Sequence, residues 1–247
     1  ILDTGGRGQV VNIVPTLLEQ LEAYRDGTVT DPVVETLRLP AAELGRNERH
    51  TLVEWAFHVA PRQLERYPRL RELAARRGRA RRRERLESRF GPGDLRDLQV
   101  LTILAHAGSQ AWVDPRLEPL YRKGHQFSAE DHRLASLWLD AQPGELIELW
   151  RRLAGQDGVE IATSPFAHPI MPLLVDTAVV TTSWAPQPAP VVPEFRHPED
   201  ARWQLDAALD FMRARGFEPR GCWPPEGSVS AEAVALYGEA GIRWLVT

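Results

Sequence analysis

Toward its end the chain reads Gly221-Cys222-Trp223-Pro224-Pro225-Glu226, which sets a carboxylate three residues after an aromatic plate on a turn stiffened by two prolines. A carboxylate can act as nucleophile, general acid or general base, and an indole face stacks on the apolar side of a sugar ring. The pair suits gripping a sugar and attacking it. Taken alone, Glu226 serves equally well to stabilise the N-terminus of a following helix, and Trp223 reads as a core residue. A second stretch, Thr163-Ser164-Pro165-Phe166-Ala167-His168-Pro169-Ile170-Met171-Pro172-Leu173-Leu174, sets His168 among three prolines. Held still in this way, His168 can donate a hydrogen bond to a substrate hydroxyl, act as an acid or base, or ligate a metal. By itself it reads as a structural histidine.

The elements around these stretches decide how they are presented. Residues 220–223 form a short strand that the two prolines stop, because they fix φ and remove two backbone donors. Gly227 allows the sharp turn, and Ser228 or Ser230 caps a helix through Ala231, Val234, Ala235 and Leu236 that ends near Gly241, with Glu232 in its first turn. Residues 159–163 predict a second strand, with 164–172 as the loop that leaves it. Residues 8–14 predict a first strand stopped by Pro15, followed by a helix over 16–25 with Leu17, Leu18, Leu21 and Tyr24 on one face. From 41 to 153 no strand is expected. Helical patterns run over 48–59, 61–77, 94–107, 114–123, 128–141 and 145–154, the fifth opened by a capping box of Ser128 and Asp131. This stretch reads as a helical insertion between two early strands. Residues 183–198 are proline-rich and extended, 198–216 predict a helix with Leu205, Ala208, Leu209 and Met212 inward, and 243–247 predict a last strand. Strands separated by helices imply a mostly parallel α/β sheet, and four strands are too few to close a barrel. In such sheets ligands meet the carboxyl ends of the strands, where both stretches lie.

Composition narrows the partners. A chain of 247 residues with a formal charge of -4 does not favour nucleic acid. The basic run over 76–85 lacks interleaved aromatics and reads as a solvated loop. No apolar run is long enough to cross a bilayer, so no membrane partner is expected; localisation stays open. Cys222 is the one cysteine, which excludes an internal disulfide or a cysteine-built zinc site, and it reads as a small buried side chain. The seven histidines include no pair three or four positions apart, so no metal and no cofactor is expected. That also argues against a metal-dependent polysaccharide deacetylase, a barrel of similar type.

Together with Val11-Asn12-Ile13-Val14-Pro15-Thr16-Leu17-Leu18-Glu19-Gln20-Leu21, the two stretches resemble glycoside hydrolase family 57, retaining α-glucan enzymes with an incomplete (β/α)7 barrel. The likeness is strongest to the amylopullulanase-like branch. Residues 94–99, 158–161 and 195–201 also look like family segments, with 158–174 similar to the second motif and 221–226 to the third. The resemblance implies a partial catalytic barrel over 1–247 that acts on α-1,4-linked, or α-1,6-linked, glucan by hydrolysis or transglycosylation. It implies Glu226 as nucleophile, with His168 and Trp223 shaping the sugar cleft. Retention needs a second carboxyl group about 5–5.5 Å from the nucleophile, neutral where the nucleophile is ionised. In the family this is an aspartate in a later motif, and Thr247 precedes it; the histidine of the first motif has no counterpart in residues 1–7. The chain as given is thus expected to be inactive, and a non-catalytic glucan-binding protein is the competing reading. Ala167, where the family usually has an aromatic, and Pro225, where it often has a small polar residue, depart from the pattern.

Overall fold

The computed structural model describes residues 8–78, 89–183, 188 and 190–246. Most of the basic run over 76–85 lies outside them. The chain divides into two compact units, Ile1–Ala23 with Gly144–Thr247, and Tyr24–Pro143.

The first unit holds a four-stranded sheet among the described residues: β1 (Gln9–Ile13), β2 (Val159–Thr163), β3 (Gly221–Cys222) and β4 (Trp244–Leu245). All neighbours are parallel and the order across the sheet is the order in the chain, with Ile13 opposite Thr163, Thr163 opposite Cys222 and Cys222 opposite Leu245. Alternation sorts the side chains to two faces. Ile13 and Ile161 pack with Leu18 of α1 (Pro15–Arg25) and with Met212 of the helix that precedes β3, while Cys222 joins Tyr237 and Ile242 in a neighbouring cluster. Burial pushes the Cys222 thiol up to about 12, so it stays protonated and inert, the small buried side chain its sequence suggests. On the opposite face Val10 is 54 % exposed. There the Trp244 indole donates to a Glu160 carboxylate oxygen at 2.9 Å and covers Gly221, where an added Cβ would lie 1.9–2.4 Å from three ring atoms. Only glycine fits beneath that ring.

The second unit is helical. It comprises α2 (Pro32–Arg38), α3 (Arg46–Trp55), α4 (Pro61–Arg66), α5 (Pro68–Arg77), α6 (Pro92–His106), a 3₁₀ turn (Ser109–Val113), α7 (Glu118–Lys123) and the first part of α8 (Ala129–Ala154). Its core centres on α6, where Leu98, Leu101 and Leu104 are fully buried with Leu52, Leu70 and Leu117.

Several elements differ from the sequence expectation. The helix over 61–77 is two helices, because Pro68 forces Tyr67 out of helical geometry to φ -110°, ψ 93°. Conversely, Pro143 does not end a helix: α8 runs through it unbroken. A proline removes a helical hydrogen bond. The bond lost here is the one to the Leu139 carbonyl; beside it the Gln142 side chain donates to the Trp138 carbonyl at 3.0 Å, and Trp138 before the proline and Ile147 after it are buried. The segment ahead of residue 41 contains α2, opened by Asp31, whose carboxylate accepts from Val33 and Val34 N–H groups. The strand before Pro224 is only two residues long, and short helices α9 (Met171–Val175) and α10 (Val179–Ser183) follow the His168 loop.

The C-terminal carbonyls of α2 would be orphaned in the core without side-chain donors. Buried Gln99 donates to the Thr36 and Leu39 carbonyls, both at 2.6 Å, and His132 Nε2 donates to that of Leu37 at 2.8 Å. Burial first, and the Arg96 charge beside it, hold His132 below the ordinary imidazole value, against the upward pull of the Leu37 carbonyl. The unfolded chain, with an imidazole near 6.5, therefore takes up a proton that the native state resists. Stability should be fully present above that value and fall as pH drops through it. Thermal unfolding followed from pH 8 to pH 5 should show this decline, and His132→Gln should flatten it.

Candidate functional site

The carboxyl ends of β1, β2 and β3 are bound together by buried polar groups. Thr163 Oγ1 donates to the Ile13 carbonyl at 3.0 Å, the Trp223 N–H donates to the Thr163 carbonyl at 2.8 Å, and Ser164 Oγ donates to the Trp223 carbonyl at 2.9 Å. Thr163 and Ser164 are buried. The loops that leave adjacent strands β2 and β3, bearing His168 and Glu226, thus start from one hydrogen-bonded frame.

After β3 the chain passes Trp223 and Pro224 into a 3₁₀ turn (Pro225–Gly227), then α12 (Ala231–Glu239). Trp223 is 47 % exposed, while Pro224 and Pro225 on either side of the turn's start are buried. The turn closes through Gly227 N–H to the Pro224 carbonyl at 2.9 Å and Ser228 N–H to the Pro225 carbonyl at 3.0 Å. Glu226 sits at φ 56°, ψ 16°, left-handed geometry that costs a side-chain-bearing residue about 1–2 kcal/mol. Its carboxylate is exposed and, among the described residues, takes no hydrogen bond or ion pair. The cap of α12 is Ser230, whose hydroxyl accepts from the Ala233 N–H at 3.2 Å. Glu226 is accordingly not the capping side chain of that helix.

His168 has the same peculiarity, with φ at 57° and an exposed side chain. Only three non-glycine residues among the described ones have positive φ, and His168 and Glu226 are two of them; Gln126 is the third. Strain of this kind persists where surrounding structure over-determines it. Here Gln204 of α11 (Pro198–Arg213) grips the loop twice, accepting from the Phe166 N–H on its backbone carbonyl at 3.0 Å and from the Ala167 N–H on its side-chain oxygen at 2.8 Å. Phe166 sits edge-on to Trp203 and Phe211. In the sequence neither Gln204 nor Ser164 stands out in type or spacing; only the folded chain reveals them.

No three His, Cys, Asp or Glu side chains cluster as a metal-ligand set among the described residues. A separate cavity of about 520 Å³ lies within the helical unit, lined by Leu37, Trp55, His58, His106 and Trp138 among others.

A parallel sheet whose carboxyl-end loops present an imidazole, a half-exposed indole and a carboxylate without a partner among the described residues is laid out as an α/β enzyme lays out its ligand loops. Comparison with family models matches residues 56–247 to glycosyl hydrolase family 57, and the chain belongs to that family. It is a glycoside hydrolase chain, from a family whose chemistry is glycan hydrolysis or transglycosylation. The match takes in both loops and begins after β1. Searches among curated proteins and among solved structures found no match.

Proposed function

We propose that this chain carries the nucleophile half of a retaining site acting on α-1,4-linked, or α-1,6-linked, glucan, in a partial (β/α)7 barrel of the amylopullulanase-like branch with residues 41–153 as a helical insertion. Glu226 is the nucleophile in this reading, and His168 and Trp223 shape the sugar cleft. The observation that supports it most is the Glu226 turn: a strained, exposed carboxylate, without a partner among the described residues, shortly after a sheet strand, in a family of glycosidases. A carboxylate held for stability would be paired or would cap α12.

In the first step a Glu226 carboxylate oxygen forms an ester bond to the anomeric carbon while the bond from that carbon to the leaving oxygen breaks. A natural leaving oxygen must be protonated by a partner acid. Fluoride leaves with its electron pair unassisted, so a ring-fluorinated α-glucosyl fluoride reports on the nucleophile alone. Incubation with this probe should add one fluoroglucosyl group to the protein, and peptide mass spectrometry should place it on Glu226. An unmodified protein, or a label elsewhere, would remove Glu226 from this role.

Trp223 contributes its backbone to the frame and its ring to the cleft. Trp223→Ala keeps the backbone bonds, so it should weaken malto-oligosaccharide binding by about 1 kcal/mol, roughly five-fold in Kd. Unchanged affinity by calorimetry would count against the platform.

A further inference from the structure

Ser164 is fully buried, and its hydroxyl joins three strands' worth of chain. Its single proton goes to the Trp223 carbonyl at 2.9 Å, which can only accept. The oxygen must then accept from Asn12, whose side-chain amide lies 3.2 Å away. This fixes the Asn12 amide with Nδ2 toward Ser164 and Oδ1 turned away. Oδ1 is buried without a hydrogen-bond partner among the described residues, which costs stability. An apolar residue at position 12 would avoid that cost while giving up the single bond to Ser164, so fold stability alone gives little reason for an amide there.

The relay does have a geometric effect. It sets the plane of the Trp223 peptide, and between that carbonyl and Glu226 stand only Pro224 and Pro225, whose rings fix φ and pass the orientation on. Ser164 also opens the loop that carries His168. One hydroxyl therefore keys β1, the His168 loop and the Glu226 turn to each other.

We propose that Asn12 and Ser164 are positioning residues for Glu226, acting by holding the Trp223 carbonyl through a directional relay; this rests on Glu226 being the nucleophile. Direction makes the relay testable at nearly constant shape. With Asn12→Asp the amide donor becomes an acceptor, the Ser164 proton turns toward it, and the Trp223 carbonyl loses its donor. Ser164→Ala removes the relay outright, and Ser164→Thr keeps the hydroxyl.

The test is labelling by the same ring-fluorinated α-glucosyl fluoride, with the saturating rate constant and the half-saturating concentration measured separately, and thermal unfolding of each sample alongside. Asn12→Asp and Ser164→Ala should lower the saturating rate constant about 10- to 100-fold with little change in half-saturation, as expected for a misplaced reacting group. The label should still fall on Glu226, in protein that remains folded at the assay temperature, and Ser164→Thr should recover most of the rate. Wild-type rate constants in both disrupting variants, or losses that merely track the unfolded fraction, would overturn the positioning role while leaving Glu226 as nucleophile. Failure of the unaltered protein to label at Glu226 would overturn the nucleophile reading and the positioning role with it.

Discussion

Glu226→Gln should leave the fold intact and cut the rate of glycosyl-ester formation by roughly 10³-fold or more. The amide matches the carboxylate in size but carries no charge and is a poor nucleophile. The fold should not register the change. Glu226 makes no hydrogen bond or ion pair among the described residues, its side chain is exposed, and glutamine pays the same backbone cost at φ 56°. Thermal stability should therefore stay within about 0.5 kcal/mol of the unaltered protein, the range for a surface change away from special features. The discriminating result is the combination. Labelling that persists at near the original rate removes Glu226 from the chemistry, and labelling lost together with stability makes it a structural residue.

The largest stability effect is expected in the helical unit. Asp97 is 1 % exposed, and its carboxylate accepts from Arg69 Nε at 2.8 Å on one oxygen and from the Phe127 N–H at 3.0 Å on the other. Arg69 also bonds Asp94 at 2.6 Å and Glu72 at 2.7 Å. Without Arg69 those two still have Arg76, which reaches both. Asp97 alone is stranded. Breaking a buried pair from one side costs about 3–5 kcal/mol, because the remaining charge stays buried without compensation. Arg69→Met keeps most of the apolar stem, so the lost charge should dominate. At this chain length the loss corresponds to roughly 6–20 °C in Tm. Asp97→Asn added to Arg69→Met should restore much of it, since the amide oxygen can still accept from Phe127 and no charge is left unpaired. Additive losses in the double variant would show that packing, and not charge, is what Arg69 supplies.

Much of the sheet was readable from local pattern: the apolar runs ending at Val14 and Thr163 lie in β1 and β2, and the order of strands and helices implied parallel pairing. Proline was the less faithful guide. At Pro68 the steric rule on the preceding residue splits a helix although Tyr67 and Leu70 on either side are buried, whereas at Pro143 the helix runs on with one hydrogen bond missing. A local rule gives no way to tell these apart. The site divides in the same manner. Trp223, His168 and Glu226 stand out by residue type and by their prolines. The left-handed backbone of His168 and Glu226 does not; at the second turn the sequence offers Gly227 as the natural residue for positive φ, and the chain gives it to Glu226 as well. Gln204, Ser164 and Asn12 are ordinary residues in ordinary runs, and their roles exist only once α11 and three strand ends are brought together.

The positive φ at positions 168 and 226 has a bearing on any effort to make this protein hardier. Glycine at either place would relieve about 1–2 kcal/mol of backbone cost and give back about 0.5–1 kcal/mol in chain entropy, a small net gain. Those are among the first substitutions that a screen for heat resistance alone would reward. Each would delete a side chain that the chemistry is proposed to use, so improvement blind to turnover would begin by erasing the cleft.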